Sequence, residues 1–485
     1  MGESEHSPNL PQLTLRAAVL GVILAMVLAG ANTYLALYAG MTISAAIPAS
    51  VVSMAVLRVL ANGNILENII VQTAASAGGA IAAGVIFTLP ALILLDYWDS
   101  FPYLWVVLIA GTGGLLGVLL TIPLRHALIH RMALPFPEGQ ATAEVLRAGH
   151  GEVPRVAPLL IGAAVGAVAK LASGGLFVWQ ANAQVAAYAG RTVFYAGTAL
   201  SPALLAVGYI VRFNVAILIF AGGALGWLVL LPLFAVLYGL PEAATPVQAA
   251  TVVWTSRIRY LGVGAMLVGG LWALWAMRDS LFHGFRQLGE AGLERHRDLP
   301  RWLLAAMTAA LLIPMYFLYR YLLGSAVAAL PMTLVMLAAA LLFSAVAAYM
   351  AGLVGSSNNP VSGLTIATIL VTAVGLALFL DDAAVGAVVA ILVGAVVCCA
   401  AAIGGDTLQD LKAGAVLGAS PWQQQLAQML GVVFSVLVLA PVFSLLLEAY
   451  GIGLPTAAHP HPLPAPQASL MAAVAAGVFG GDLPW

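Results

Sequence analysis

The sequence predicts an all-α polytopic membrane protein with about fourteen transmembrane helices. Of its 485 residues, 62% are hydrophobic and only 8% are charged, and the mean hydropathy is +1.03. Long apolar runs recur along the chain, and its 50 glycines supply the small side chains that let helices approach closely in lipid. A water-soluble core cannot use that much apolar surface, so the helices are expected to lie in a bilayer.

The predicted spans are apolar runs of roughly 17–25 residues, each long enough to cross the hydrocarbon core. Arginines gather in the connections after the fourth and eighth spans, so the positive-inside rule places these connections and the N-terminus in the cytoplasm. We therefore expect a multi-pass protein of the cell inner membrane. The net charge of −1 gives no field that would attract nucleic acid. The spans lie near residues 15–38, 41–60, 67–95, 103–122, 157–180, 195–211, 214–236, 251–277, 302–322, 327–350, 363–380, 383–403, 424–449 and 468–485.

Weak internal similarity suggests a duplicated architecture. A tyrosine followed six residues later by glycine occurs at 34–40 and again at 349–355, each time at the end of one span and before a polar break. Duplicated transporter folds with discontinuous helices leave such traces. We predict one integral membrane transporter domain over residues 1–485, with repeat halves at 14–300 and 301–485. The second half is incomplete, so we expect a C-terminal truncation.

A polar stretch, GGDTLQDLKAG at 404–414, lies between two long apolar runs. Carboxylates are costly near lipid and therefore indicate function. Asp406 and Asp410 are four residues apart, so a helix would place them on one face. Two interpretations stay open. Asp406 could cap a helix that begins after a glycine break, with Gln409 at its third position, or the mouth of that helix could be an ion or substrate site.

Four further polar interruptions break the apolar runs, at 32–42, 67–79, 134–144 and 352–363. Each is a candidate site, and each is also consistent with an ordinary turn, interface or loop. In the third, two prolines favour a helix that begins at Pro137. Polar side chains within apolar spans are expected to face the interior of the helix bundle.

Four motifs together resemble the bacterial branch of the oligopeptide transporter family, which is related to the yellow-stripe-like transporters. They are NILENIIVQTAASAGG (64–79), LPFPEGQATAEVLRAG (134–149), SPALLAVGYIVRFN (201–214) and GGDTLQDLKAGAVLGASP (404–421). The resemblance runs from about Thr14 to the last residue. It implies proton-coupled symport of small oligopeptides, peptide derivatives or metal-chelate complexes, a scaffold with a moving transport domain, and further C-terminal spans.

The favoured function is thus a secondary active transporter and not an enzyme. The chain has no Walker-type phosphate-binding motif, so ATP is not the expected driver. The resemblance implies the proton gradient as the energy source, and no cofactor is predicted. The adjacent cysteines Cys398 and Cys399 point apart on a helix, so we predict buried packing and no metal site. Expected partners are a small peptide or metal-chelate substrate, the lipid bilayer and, as an open option, a second copy in a homodimer.

Two alternatives are a passive channel and an intramembrane aspartyl protease, although the Gly-x-Gly-Asp pattern of such proteases is absent before Asp406. In a transporter, intramembrane carboxylates would carry protons while amides and hydroxyls bind peptide groups. The predicted proton-coupling residues are Glu67, Glu138, Glu144, Asp406 and Asp410, and the predicted substrate-binding residues are Tyr34, Asn68, Gln72, Thr73, Ser76, Gln140, Thr142, Asn358, Asn359 and Gln409.

Overall fold

The structure divides the chain into two compact units. The first comprises the described residues of Met1–Pro154 and Leu267–Leu483, and the second those of Arg155–Met266. The computed structural model describes residues 10–40, 42–61, 63–150, 157–172, 176, 178–179, 182–200, 205, 209, 213–241, 245–262, 264–265, 268–269, 272, 275, 298–357, 359–380, 382–453, 459 and 462–480.

Helices dominate both units. In chain order the α-helices of the described residues are α1 (Leu15–Ala39), α2 (Ala46–Ala61), α3 (Ile65–Ile86), α4 (Pro90–Leu94), α5 (Tyr103–Thr121), α6 (Pro137–His150), α7 (Ala157–Lys170), α8 (Phe213–Ala224), α9 (Leu231–Tyr238), α10 (Pro246–Val253), α11 (Arg301–Leu323), α12 (Ala326–Val354), α13 (Val361–Ala377), α14 (Ala383–Leu417), α15 (Pro421–Tyr450) and α16 (Pro466–Gly480). Short 3₁₀ or π segments extend several of them: Ile122–Leu124, His126–Arg131, Leu225–Leu230 and Trp254–Ile258.

Helix α14 forms the centre of the first unit. It is contacted by nine helices, α3, α4, α5, α6, α11, α12, α13, α15 and α16, and its most apolar 18-residue stretch is completely buried. At 1.5 Å per residue its 35 residues give a length of roughly 50 Å, more than the hydrocarbon core requires. A second layer begins with α1, which packs along α3 and α15.

Small residues make this close packing around α14 feasible. A Cβ atom on Gly84 of α3 would overlap the backbone of Cys399 on α14. A Cβ on Gly113 of α5 would lie 2.6 Å from the Cβ of the same cysteine, which is also too close. Both cysteines of the chain are therefore enclosed between helices, with 0% exposure. Their predicted role in packing agrees with this environment.

The second unit contains an antiparallel hairpin of β1 (Asn182–Ala189) and β2 (Thr192–Ala199), in which Asn182 pairs with Ala199. Gly190 begins the two-residue turn with φ +62°, a conformation that favours glycine. Aromatic side chains pack beside the hairpin: the Trp227 and Trp254 rings lie parallel, with centroids 4.1 Å apart.

The prediction of a largely helical polytopic membrane protein is confirmed, because eight helices of the described residues are long and apolar enough to span a bilayer. Three shorter apolar helices accompany them. The predicted total of fourteen spans is not confirmed. The span predicted at 195–211 is wrong at its start, because Thr192–Ala199 is strand β2. Its β-branched and aromatic residues suit a strand as well as a lipid-facing helix.

The glycine packing around α14 can be tested by substitution. Gly84→Ala should lower the free energy of unfolding by roughly 1–3 kcal/mol, because the new methyl group must push α3 away from the backbone of α14. Gly375→Ala on α13 is the matched control, since nothing lies within 4 Å of its Cβ position. The control should gain about 0.5–1 kcal/mol from helix propensity. Denaturation of both variants in one detergent measures the difference, and equal stability would contradict the packing described.

Candidate functional site

Asp406 and Asp410 lie on one face of a continuous helix. Helix α14 runs through Gly404 and Gly405 without a break, so the predicted helix start at Asp406, and with it a discontinuous helix at this point, is wrong. The two glycines serve packing instead. A Cβ at Gly404 would meet Thr121 and Ser344, and one at Gly405 would lie 2.7 Å from the side-chain amide of Asn359.

Asp410 is enclosed by amide side chains from two neighbouring helices. Its carboxyl accepts hydrogen bonds from Gln72 Nε2 on α3 at 2.6 Å and from Gln428 Nε2 on α15 at 3.5 Å. Gln424 Nε2 donates to the Asp410 main-chain oxygen at 3.0 Å and to Thr73 Oγ1 at 3.1 Å. All five residues are at most 3% exposed. We call this group, Gln72, Thr73, Asp410, Gln424 and Gln428, the Asp410 cluster.

Unused hydrogen-bonding capacity remains in the Asp410 cluster. The side-chain oxygens Oε1 of Gln72, Gln424 and Gln428 are buried and have no hydrogen-bond partner in the structure. Ser76, one turn further along α3 from Gln72, is also buried and lies beside the Asp410 carboxyl. Buried polar atoms without partners are uncommon and call for an explanation.

One helical turn from Asp410, Asp406 borders a cavity of about 180 Å³. Liquid water would fill that volume with about six molecules. Segments distant in sequence meet here: the connection between α1 and α2, the C-terminal part of α3, the segment between α12 and α13, and the start of α16. The lining residues are Gly40, Thr42, Ile43, Ser44, Gly79, Ala80, Ala83, Phe87, Ser356, Ser357, Asn359, Val361, Ser362, Ala402, Asp406 and Gln467.

Glu138 holds one wall of this cavity in place. Its carboxylate accepts from the Ser356 hydroxyl at 2.6 Å and from the Ser357 main-chain N–H at 2.9 Å. Helix α6 begins at Pro137, as the two prolines predict, which sets Glu138 in its first turn. Glu138 is thus brought to the edge of the site, where it orders the segment between α12 and α13.

Gln409 connects α14 to two other elements. Its Oε1 accepts from the Gly139 main-chain N–H at 2.8 Å, and its Nε2 donates to the Ala351 main-chain oxygen at 2.6 Å. The residue is 3% exposed. Both ends of its amide are used in holding α6 and α12 against α14, so its geometry is that of a structural link beside the cavity.

Comparison with known proteins identifies the family. The family model described as OPT oligopeptide transporter protein matches residues 12–485. This chain belongs to the OPT family. A Haemophilus influenzae protein provisionally named an oligopeptide transporter is 34% identical over 486 residues, covering 93% of this chain and 76% of that protein. A Saccharomyces cerevisiae protein with the same provisional description is 26% identical over 167 residues, covering 30% of this chain and 23% of that one.

Several predicted residues of this OPT-family chain lie away from the cavity. Glu67 forms an ion pair with Arg16, Nη2 to Oε2 at 2.7 Å, and completes a capping box with Asn64 at the start of α3. Asn68 contacts His150 Nε2 at 3.1 Å. Tyr34 packs on other tyrosine rings and does not border the cavity. These side chains join helices to one another.

The remaining predicted residues lie on α6 or outside the described part. Gln140 is exposed, and Thr142 is buried with its hydroxyl unpartnered. Glu144 is exposed and pairs with Arg147, its neighbour on α6, at 3.1 Å. Asn358 lies outside the described residues. None of the three described side chains borders the cavity.

Gln424 and Gln428 are the site residues that sequence reasoning missed. They belong to PWQQQLAQM at the start of α15, where glutamines are also typical of the polar end of a membrane span. Their spacing of four residues was the available signal, since it places both on one helix face. Gln467, which borders the cavity from α16, carried no comparable signal.

The structural role of Gln409 gives a stability prediction. Gln409→Leu should lower the free energy of unfolding by roughly 2–4 kcal/mol, because the Gly139 N–H and the Ala351 carbonyl would both stay buried without partners. Gln248→Leu, at an exposed position on α10, is the control and should change stability by less than about 0.5 kcal/mol. Chemical denaturation in detergent checks both, and a Gln409→Leu protein as stable as the control would rule out this role.

Proposed function

We propose that this chain carries small oligopeptides across the cytoplasmic membrane by proton-coupled symport, with Asp410 as the residue that binds the coupling proton. The cavity beside Asp406 receives the substrate. Membership of the OPT family and the names of the two relatives support peptide transport. The coupling ion, the membrane and the residue roles are our own inferences.

The observation that carries the proposal is the uncompensated burial of Asp410. The residue is 2% exposed, and no ion pair in the described part of the chain includes it. Its hydrogen-bond donors are neutral amides. A buried carboxylate without a cation is costly, and a bound proton removes that cost. Glu67, by contrast, is paired with the cation Arg16, so its negative charge is already compensated without a bound proton.

The Gln72 amide suits both states of Asp410. As a carboxylate, Asp410 accepts a hydrogen bond from Gln72 Nε2. After a half-turn of the amide, the unpartnered Oε1 of Gln72 would accept a hydrogen bond from a protonated Asp410. Gln428 is a second amide with an unpartnered Oε1, and its Nε2 also donates to the Thr407 main-chain oxygen at 3.2 Å. The Asp410 cluster can therefore offer a hydrogen-bond partner both to the carboxylate and to the protonated carboxyl group.

The positive-inside pattern supports an inner-membrane protein with a cytoplasmic N-terminus. The ion pair between Arg125 and Asp298, with Nη2 and Oδ2 2.7 Å apart, joins two of the connections to which the sequence assigns the cytoplasmic side. The homodimer stays a prediction, and metal-chelate complexes stay an alternative substrate class.

Proton coupling can be tested in proteoliposomes with the membrane potential clamped at zero. A gradient of one pH unit, acid outside, should drive roughly tenfold accumulation of a labelled dipeptide at one proton per peptide. Asp410→Asn should reduce accumulation to equilibrium while peptide exchange between the two sides continues, because the variant keeps a neutral partner for Gln72. An iron-chelate arm in the same assay tests the alternative substrate class.

Glu448→Gln is the control, because Glu448 is an exposed carboxylate near the end of α15. It should accumulate peptide like the unmodified protein. Full pH-driven accumulation by Asp410→Asn would overturn the assignment of the proton to Asp410. If the unmodified protein never concentrates peptide above equilibrium, the symport proposal fails and the passive channel is favoured.

A further inference from the structure

The charge of the cavity bears on which part of a peptide it holds. Among the described residues that line it, Asp406 is the charged one. The other polar lining groups are neutral hydroxyls and amides, contributed by Thr42, Ser44, Ser356, Ser357, Asn359, Ser362 and Gln467. Within this lining, the positive end of a zwitterionic peptide therefore has a partner of opposite charge. Its carboxylate has none there.

The Asp406 carboxyl is available to a ligand. Ser356 lies beside it, but the Ser356 hydroxyl donates its hydrogen bond to Glu138. Asp410 is already enclosed by amides, and Glu138 already accepts two hydrogen bonds. Of the three carboxyl groups near the cavity, Asp406 is the one that borders it.

Two further acceptors border the same cavity. Asn359 Oδ1 and Gln467 Oε1 are buried and have no hydrogen-bond partner, whereas their amide nitrogens donate to the Ala347 and Gly40 main-chain oxygens. The Asn359 side chain lies against Gly405, next to Asp406. One carboxylate and two amide oxygens match the three N–H donors of a primary ammonium group.

We propose that this site binds the α-ammonium group of the peptide substrate, with Asp406 as its counter-charge and Asn359 and Gln467 as neutral acceptors. The proposal rests on the peptide transport proposed above and specifies the orientation of the substrate. With the ammonium on Asp406 and a proton on Asp410, both carboxylates of α14 are neutralised together. In the fully loaded site neither of these two carboxylates then carries an unpaired charge.

The experiment compares three ligands of the same length: dialanine, N-acetyl-dialanine and dialanine amide. Competition with uptake of labelled dialanine into proteoliposomes measures the affinity of each. Acetylation removes the positive charge and should weaken competition by about 30-fold or more. Amidation of the carboxyl end should weaken it by less than about fivefold, because no cation in the described lining pairs with that end.

Substitutions test whether Asp406 causes the preference for a free amino terminus. Asp406→Asn should remove the preference for a free amino terminus, Asp406→Glu should retain most of it, and Glu448→Gln should leave it unchanged. If N-acetyl-dialanine competes as well as dialanine, or if amidation is the more harmful change, the proposal is overturned even when every variant is unstable. If either of these results is found while dialanine is still taken up, only the binding proposal fails and the transport proposal stands. If the protein concentrates no peptide at all, the transport proposal itself is refuted.

Discussion

The burial of α14 over residues 386–411 is the constraint on which the first unit depends. Nine of the described helices contact it, and they approach closely because glycines such as Gly84 and Gly113 stand where any larger residue would collide with Cys399. Water cannot satisfy the polar groups of a helix in that position. Neighbouring elements must therefore supply the hydrogen bonds. Gln409 is an example, because the two ends of its amide bind the backbones of α6 and α12.

The same constraint separates two carboxyl groups that look equivalent in sequence. Asp406 and Asp410 are one turn apart on one helix face, yet one borders a cavity and the other is enclosed by amides. An open carboxyl can meet a ligand, and an enclosed one can exchange little more than a proton. Under the proposed roles, one rigid helix would keep cargo and coupling ion within a turn of each other.

Sequence reasoning succeeded where a local rule decides the outcome. The prolines before α6 fix its start, and the rule that polar residues in apolar spans face inward found Gln72 and Asp410. It failed where a tertiary contact decides. The glycines before Asp406 suggested a break but serve helix packing. Glu67 was predicted to couple protons, but the fold pairs it with Arg16, and the hairpin has an apolar composition that a membrane helix shares.

The enclosed cysteines have a practical consequence for studying motion. Only an accessible thiolate reacts with maleimide reagents, and Cys398 and Cys399 are both 0% exposed. The native chain therefore provides a silent background for site-directed labelling. A single thiol introduced at Ser357, on the cavity wall, would report by its alkylation rate which side of the membrane that wall faces, with no need to remove the native cysteines and disturb the packing around α14.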